Sequence, residues 1–204
     1  MPLDTYKTIL SPSPETLLKE KNSKFFGYAF PVATEDEVKN HLSTLRKTHS
    51  GAGHFCYAYQ IGTEKLYFRT NDDGEPNNSA GLPIYGQIQS FGLTNVLIVV
   101  VRYFGGVKLG VGGLISAYKE SAQMTLENSE IIEKSNNLNY TLLFDYKHMN
   151  KVMRTIKEKN VQIISQRMDA DCQIEVAIPK KFADVILASF QSIYEIEIKE
   201  RITN

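Results

Sequence analysis

The chain has little of what marks several large protein classes. Among its 204 residues there are two cysteines, Cys56 and Cys172, far apart in sequence. Neither a disulfide framework nor a paired-cysteine metal knuckle is indicated, and both are expected as small buried hydrophobes. There is no surplus of charge. Basic and acidic residues number 23 each, 13 against 14 over residues 1–135 and 10 against 9 thereafter. A protein that grips nucleic acid by bulk charge carries a positive excess, so any such contact here must use a local patch. No apolar run approaches the about 18 residues of a membrane span, and the longest, residues 96–101, is strand-sized. The opening MPLDTYKTIL lacks the basic-then-apolar pattern of a signal peptide. A cytoplasmic protein without a membrane partner is expected.

What is present suits an ordinary globular protein with real cores: 42% hydrophobic and 23% charged residues. In the last third, Leu138, Tyr140, Leu142 and Phe144 alternate as a half-buried strand does. Met149, Val152, Met153 and Ile156 follow at helical spacing, with Asn160 as cap. Strands fit residues 161–167 and 172–178, joined by the hairpin turn MDAD, with Cys172, Ile174, Val176 and Ile178 on one face. Phe182, Val185, Ile186 and Phe190 suggest a second helix, and Tyr194, Ile196 and Ile198 a last strand. The order βαββαβ predicts a ferredoxin-like domain, a four-stranded antiparallel sheet with helices on one face. The polar segment EKSNN, residues 133–137, is read as a boundary, giving domains 1–135 and 136–204. The first domain also mixes elements. Strands are predicted at 24–32, 54–61, 65–70 and 96–103, and helices at 35–49, 81–91 and about 113–128. Thr34 and Glu37 form a capping box at the first helix, while Pro83 and Gly86 interrupt the second.

The densest chemistry lies at residues 95–122, where a strand runs through a glycine-rich turn into a helix. The P-loop needs a Lys-Ser/Thr pair after its glycines, and the dinucleotide fingerprint needs a third glycine where Ile115 stands, so both fail. What remains is an anion-binding corner: Arg102, Gly105, Gly106, Lys108, Gly110, Gly112 and Gly113 offer two cations and the free N–H groups of a helix start. The structural alternative is a tight connection, with Arg102 paired to an acidic neighbour. Asp72, Asp73 and Glu75 surround a Gly-Pro turn that can hold a cation or simply be solvated; the spacing does not fit an EF-hand, and no metal is expected. His54 and Cys56 share a strand face without the further ligands of a zinc site, leaving His54 open as a ligand contact. Phe55, Tyr57 and Tyr59 on the opposite face are core, or a stacking surface if exposed. Lys147, Lys151 and Arg154 form a basic ridge that suits phosphates or plain solvation.

The runs HFCYAY (54–59), DDGEP (72–76), AGLPI (80–84) and VVVRYFGGVKLGVGGLISAY (99–118) resemble the YigZ/Impact family, and the tail is similar to that of its bacterial members. The family usually has Ser-Gly-Thr before AG, where this chain has Asn77, Asn78 and Ser79. The resemblance implies an α+β fold: an α/β sandwich like the second domain of a small-subunit ribosomal protein, then a ferredoxin-like domain like the last domain of elongation factor G. Eukaryotic Impact relatives regulate translation by restraining a starvation-activated kinase, through an accessory domain that is not part of this resemblance. The expectation is a non-enzymatic binding protein linked to translation, contacting RNA or the ribosome through the glycine loop, without a cofactor. One alternative is an enzyme or small-molecule binder that joins the loop to His54, Asp72, Asp73 and Glu75. The other is a protein-interaction module with a regulatory protein as partner.

Overall fold

The structure, a computed structural model, describes residues 5–169 and 171–201. It divides into two compact units, Met1–Lys134 and Ser135–Asn204.

The first unit runs β1 (Thr5–Ile9), β2 (Thr16–Glu20), β3 (Ser23–Pro31), α1 (Glu35–Thr48), β4 (His54–Ile61), β5 (Tyr67–Asn71), α2 (Gly81–Ser90), β6 (Val96–Tyr103), α3 (Gly110–Glu127) and β7 (Ile131–Ser135). An antiparallel sheet of order β2-β3-β6-β4-β5 is its frame, and β1 and β7 make a small second sheet. The central β6 reads VLIVVVRY because both of its faces are covered, so alternation gives way to a continuous apolar run. Phe25, Cys56, Ile98 and Val100 pack with Tyr85 of α2 and Tyr118 of α3 on one side. Phe55, Tyr59, Val99 and Val101 pack with Val38 and Leu45 of α1 on the other. The aromatic face of β4 is thus core, with Tyr57 at its partly exposed margin.

Local signals explain the helices. Thr34 Oγ1 accepts from Glu37 N at 3.3 Å and Glu37 Oε2 accepts from Thr34 N at 3.2 Å, closing the capping box of α1. Pro83 is tolerated in α2 because it lies in the first turn, where a missing N–H breaks no helical bond. The third helix starts at Gly110, ahead of the expected residue 113.

The second unit runs β8 (Asn137–Asp145), α4 (Met149–Glu158), β9 (Gln162–Met168), β10 (Asp171–Pro179), α5 (Ala183–Gln191) and β11 (Glu197–Arg201), with sheet order β11-β8-β10-β9. Leu142, Cys172, Ile174, Val176 and Ile178 are fully buried in its core. Asn160 takes φ of 53° after α4 while Val161 N donates to Ile156 O, a left-handed cap with its long return bond. Three expectations need correction. Met153 and Val185 are exposed, and so is Phe182, which sits in a 3-10 turn before α5; Ala183, Ile186 and Phe190 face inward instead. Tyr194 is 77% exposed, and the last strand begins only at Glu197. Ala170 of the expected MDAD turn and the start of the leader reading, residues 1–4, lie outside the described residues. Both units combine helices with antiparallel sheets, an α+β architecture. Among the described residues no helix is long and apolar enough to cross a membrane.

Candidate functional site

Register brings the acidic turn and the glycine loop to one end of the large sheet. His54 at the start of β4 pairs with Arg102 near the end of β6, and Lys24 of β3 pairs with Tyr103. Arg102 is 4% exposed, and its Nη1 donates to Glu75 Oε1 at 2.6 Å. Its Nη2 donates to Ser23 Oγ at 3.3 Å, its guanidinium lies over Phe25 and Phe104, and its buried Nε has no partner. The anion held by Arg102 is therefore Glu75 of the same chain, which corrects its assignment as an outward phosphate ligand.

Glu75 is itself buried and accepts a second bond from Tyr118 Oη at 2.7 Å. Cys56 Sγ lies 3.3 Å from Tyr118 Oη and 3.0 Å from Asp72 O. Burial pushes both the Cys56 thiol and the Tyr118 hydroxyl well above their usual ranges. A thiol so placed stays protonated at neutral pH and is no nucleophile. Iodoacetamide is expected to leave Cys56 and Cys172, both fully buried, unmodified in the folded protein and to alkylate both in denaturant, as mass spectrometry will read.

The other carboxylates, partly exposed, are also held by groups of the chain. Asp72 accepts from the N–H groups of Asn78, Ala80 and Gly81 at 2.8 to 3.0 Å, neutralising the start of α2 from outside the helix. Asp73 accepts from Phe55 N at 2.6 Å and pairs with Arg46 at 2.8 Å. Asn78 has φ of 62°, a conformation that glycine adopts freely and asparagine tolerates. Among the described residues no cluster of three or more His, Cys, Asp or Glu is placed to hold a metal ion.

His54 Nδ1 lies 2.9 Å from the Asp73 carbonyl, which only accepts, so Nδ1 carries the proton. Nε2 lies 3.9 Å from Glu75 Oε1, on a side chain 26% exposed. Sequence reasoning named His54, Glu75 and Arg102 but missed Tyr118, Ser23 and Arg46. Their partners lie tens of residues away, beyond the reach of any local pattern.

The glycine loop divides by role. A Cβ on Gly105 would stand 2.0 Å from the Asn22 carbonyl carbon, so that residue admits close backbone approach. Gly106 and Gly110 take φ of 85° and 75°. Gly113 lies against Leu109, whereas a Cβ on Gly112 would meet nothing within 4 Å and needs no unusual φ. The helix it opens has no side-chain cap, and Lys108 beside it is exposed. In the second unit Lys147 pairs with Asp145 and Glu195, and Arg154 pairs with Glu158 at 2.7 Å, while Lys151 is exposed. That ridge is largely neutralised by its own acids.

Residues 21–126, which span the whole site, match the Impact N-terminal domain. The IMPACT family member YvyE of Bacillus subtilis is 31% identical over 179 residues, 88% of this chain and 82% of its own. YigZ of Escherichia coli is 30% identical over 176 residues, 84% and 85% of the two chains. A crystal structure described as that of a hypothetical protein shares the fold, with a TM-score of 0.72 at 24% identity over 99% of this chain and 100% of the other. With its N-terminal unit matched and bacterial members aligned along most of its length, the chain belongs to the Impact family.

Proposed function

We propose that the protein is a non-enzymatic, cytoplasmic, translation-linked binding protein that contacts RNA or the ribosome through the start of α3. The observation that carries this reading is Gly112, a glycine that neither the backbone conformation nor the packing requires, at an uncapped helix start beside exposed Lys108. Free N–H groups and the positive end of the helix suit a phosphate there, and a bare Cα lets it come close. The translation link is supported by the resemblance to Impact relatives that regulate translation. In sucrose gradients of cell extract the protein is expected to sediment with ribosomal particles at low salt and to leave them at high salt. A protein that stays at the top of the gradient under all conditions refutes the reading.

A second reading, an enzyme or small-molecule binder, is favoured by the glycine loop standing at the same end of the sheet as His54 and the Asp72–Glu75 turn. It expects a small anion such as phosphate to shift the His54 ring resonances in NMR while leaving those of His148 unmoved. Unchanged His54 resonances would remove it.

A further inference from the structure

Gln60 pairs with Val96 at the opposite end of β4 and β6 from His54 and Arg102, so this end of the sheet lies away from the glycine loop. Here Thr94 N donates to Lys7 O at 2.9 Å, which ties β1 to the turn between α2 and β6. Beside that junction is a cavity of about 610 Å³, within the range of ligand pockets. Its inner wall is largely apolar. Tyr85 and Leu93, both buried, line it together with Leu66, and Phe68 stacks on Tyr85 with ring centroids 4.3 Å apart and planes 10° apart. The polar groups among them already satisfy one another: Tyr85 Oη donates to Gln60 Oε1 at 2.8 Å, and Gln60 Nε2 donates to Leu93 O at 3.0 Å. A polar group entering there would find these partners taken, so the inner end suits an apolar side chain.

The rim carries one charge of each sign. Lys7 and Glu133 line the cavity and are exposed, on the paired strands β1 and β7. Glu133 Oε1 accepts from the Thr5 hydroxyl, and Thr5 and Lys7 share a face of β1 because they lie two apart, so the carboxylate and the ammonium border one opening. Neither is in an ion pair among the described residues. The adjoining loop adds Glu64 and Lys65, and the local charge stays balanced. We propose that this cavity binds a free amino acid with a large apolar side chain. Lys7 holds the carboxylate, Glu133 holds the ammonium, and the side chain lies against Tyr85, Leu66 and Leu93. A zwitterion answers both charges at once, whereas a simple anion would face Glu133 and a simple cation Lys7. A residue inside a peptide has lost both charges to its amide bonds, which selects the free amino acid over a chain segment.

The test is an NMR titration of the nitrogen-15-labelled full chain at neutral pH with L-phenylalanine and L-leucine. Saturable shifts of the Leu66, Gly92 and Thr94 amides are expected, with a dissociation constant no weaker than about 1 mM. Phenethylamine, 3-phenylpropionate and N-acetylphenylalanine amide each lack one or both charges and are expected to bind at least about tenfold more weakly. L-glutamate keeps both charges but has a charged side chain, and it is expected not to bind. Lys7→Ala and Glu133→Gln are each expected to weaken L-phenylalanine at least about tenfold. Both positions are exposed, and glutamine keeps an acceptor for Thr5, so unchanged melting curves show that the variants are folded. Absence of saturable shifts with both amino acids overturns the proposal. So does any of the three analogues binding as tightly as L-phenylalanine, or an affinity indifferent to both substitutions.

Discussion

Replacing Glu75 with leucine is expected to destabilise the first unit by about 3 to 5 kcal/mol, because it strands the buried Arg102 charge. Among the described residues Arg102 pairs with no other acid: its remaining bond goes to the neutral Ser23 hydroxyl, and its Nε lacks a partner. Tyr118 loses its acceptor in the same step. Glu75→Gln keeps an acceptor for both groups while removing the charge, so it is expected to fall between the wild type and Glu75→Leu. Adding Arg102→Met to Glu75→Leu is expected to recover much of the loss, since removing both charges from an apolar setting costs less than removing one. Urea denaturation of the four proteins reads the comparison. A double variant no more stable than Glu75→Leu would show that the two side chains are not coupled as their 2.6 Å contact implies.

Gly105→Ala is expected to cost about 3 kcal/mol, at the upper end of overpacking, while Gly112→Ala stabilises by about 0.5 to 1 kcal/mol. The new methyl on residue 105 meets the Asn22 carbonyl group and Ser23 N at 2.0 to 2.3 Å, and these are backbone atoms that cannot swing away. They belong to the tight turn between β2 and β3, where Lys21 and Asn22 take φ of 44° and 65°, so the turn has little freedom to yield. The bond from Gly105 N to Ser23 Oγ would be lost with it. At residue 112 the methyl enters open space in a helical turn. Thermal melts give the stability order. Equal effects at the two positions would mean that the glycines do not divide as described. Gly112→Ala carries a second expectation: if the open backbone is where a phosphate comes close, the more stable protein binds RNA more weakly.

Much of this architecture was legible in the sequence because it rests on local rules. The apolar run of β6, the alternation of β4 and β10, the capping box of α1 and Asn160 after α4 each state their structure within a few residues. The strands β1, β2 and β7 were not read. They are short and of mixed composition; β1 and β7 become regular only beside each other from opposite ends of the unit, and β2 only beside its neighbour β3. Helical spacing misplaced Met153, Phe182 and Val185, because apolar residues at i, i+3 and i+4 do not say which of them lies at the rim of the covered face. The acidic turn was the larger misreading. Asp72, Asp73 and Glu75 look solvated when only composition is weighed, yet each is consumed by a backbone amide, an arginine or a tyrosine supplied from elsewhere. Arg102 looked like a phosphate ligand for the same reason, since its partner lies 27 residues away.

What survives at the glycine loop is narrower and more testable: Lys108 and the bare amides at the start of α3. The most direct test is an RNA-binding titration across a range of salt for the wild type and Lys108→Glu. If the loop holds phosphate, affinity falls as salt rises, and Lys108→Glu binds more weakly to every sequence with a log–log salt slope shallower by about one. Binding that ignores salt, or a Lys108→Glu protein whose affinity and slope match the wild type, would contradict it.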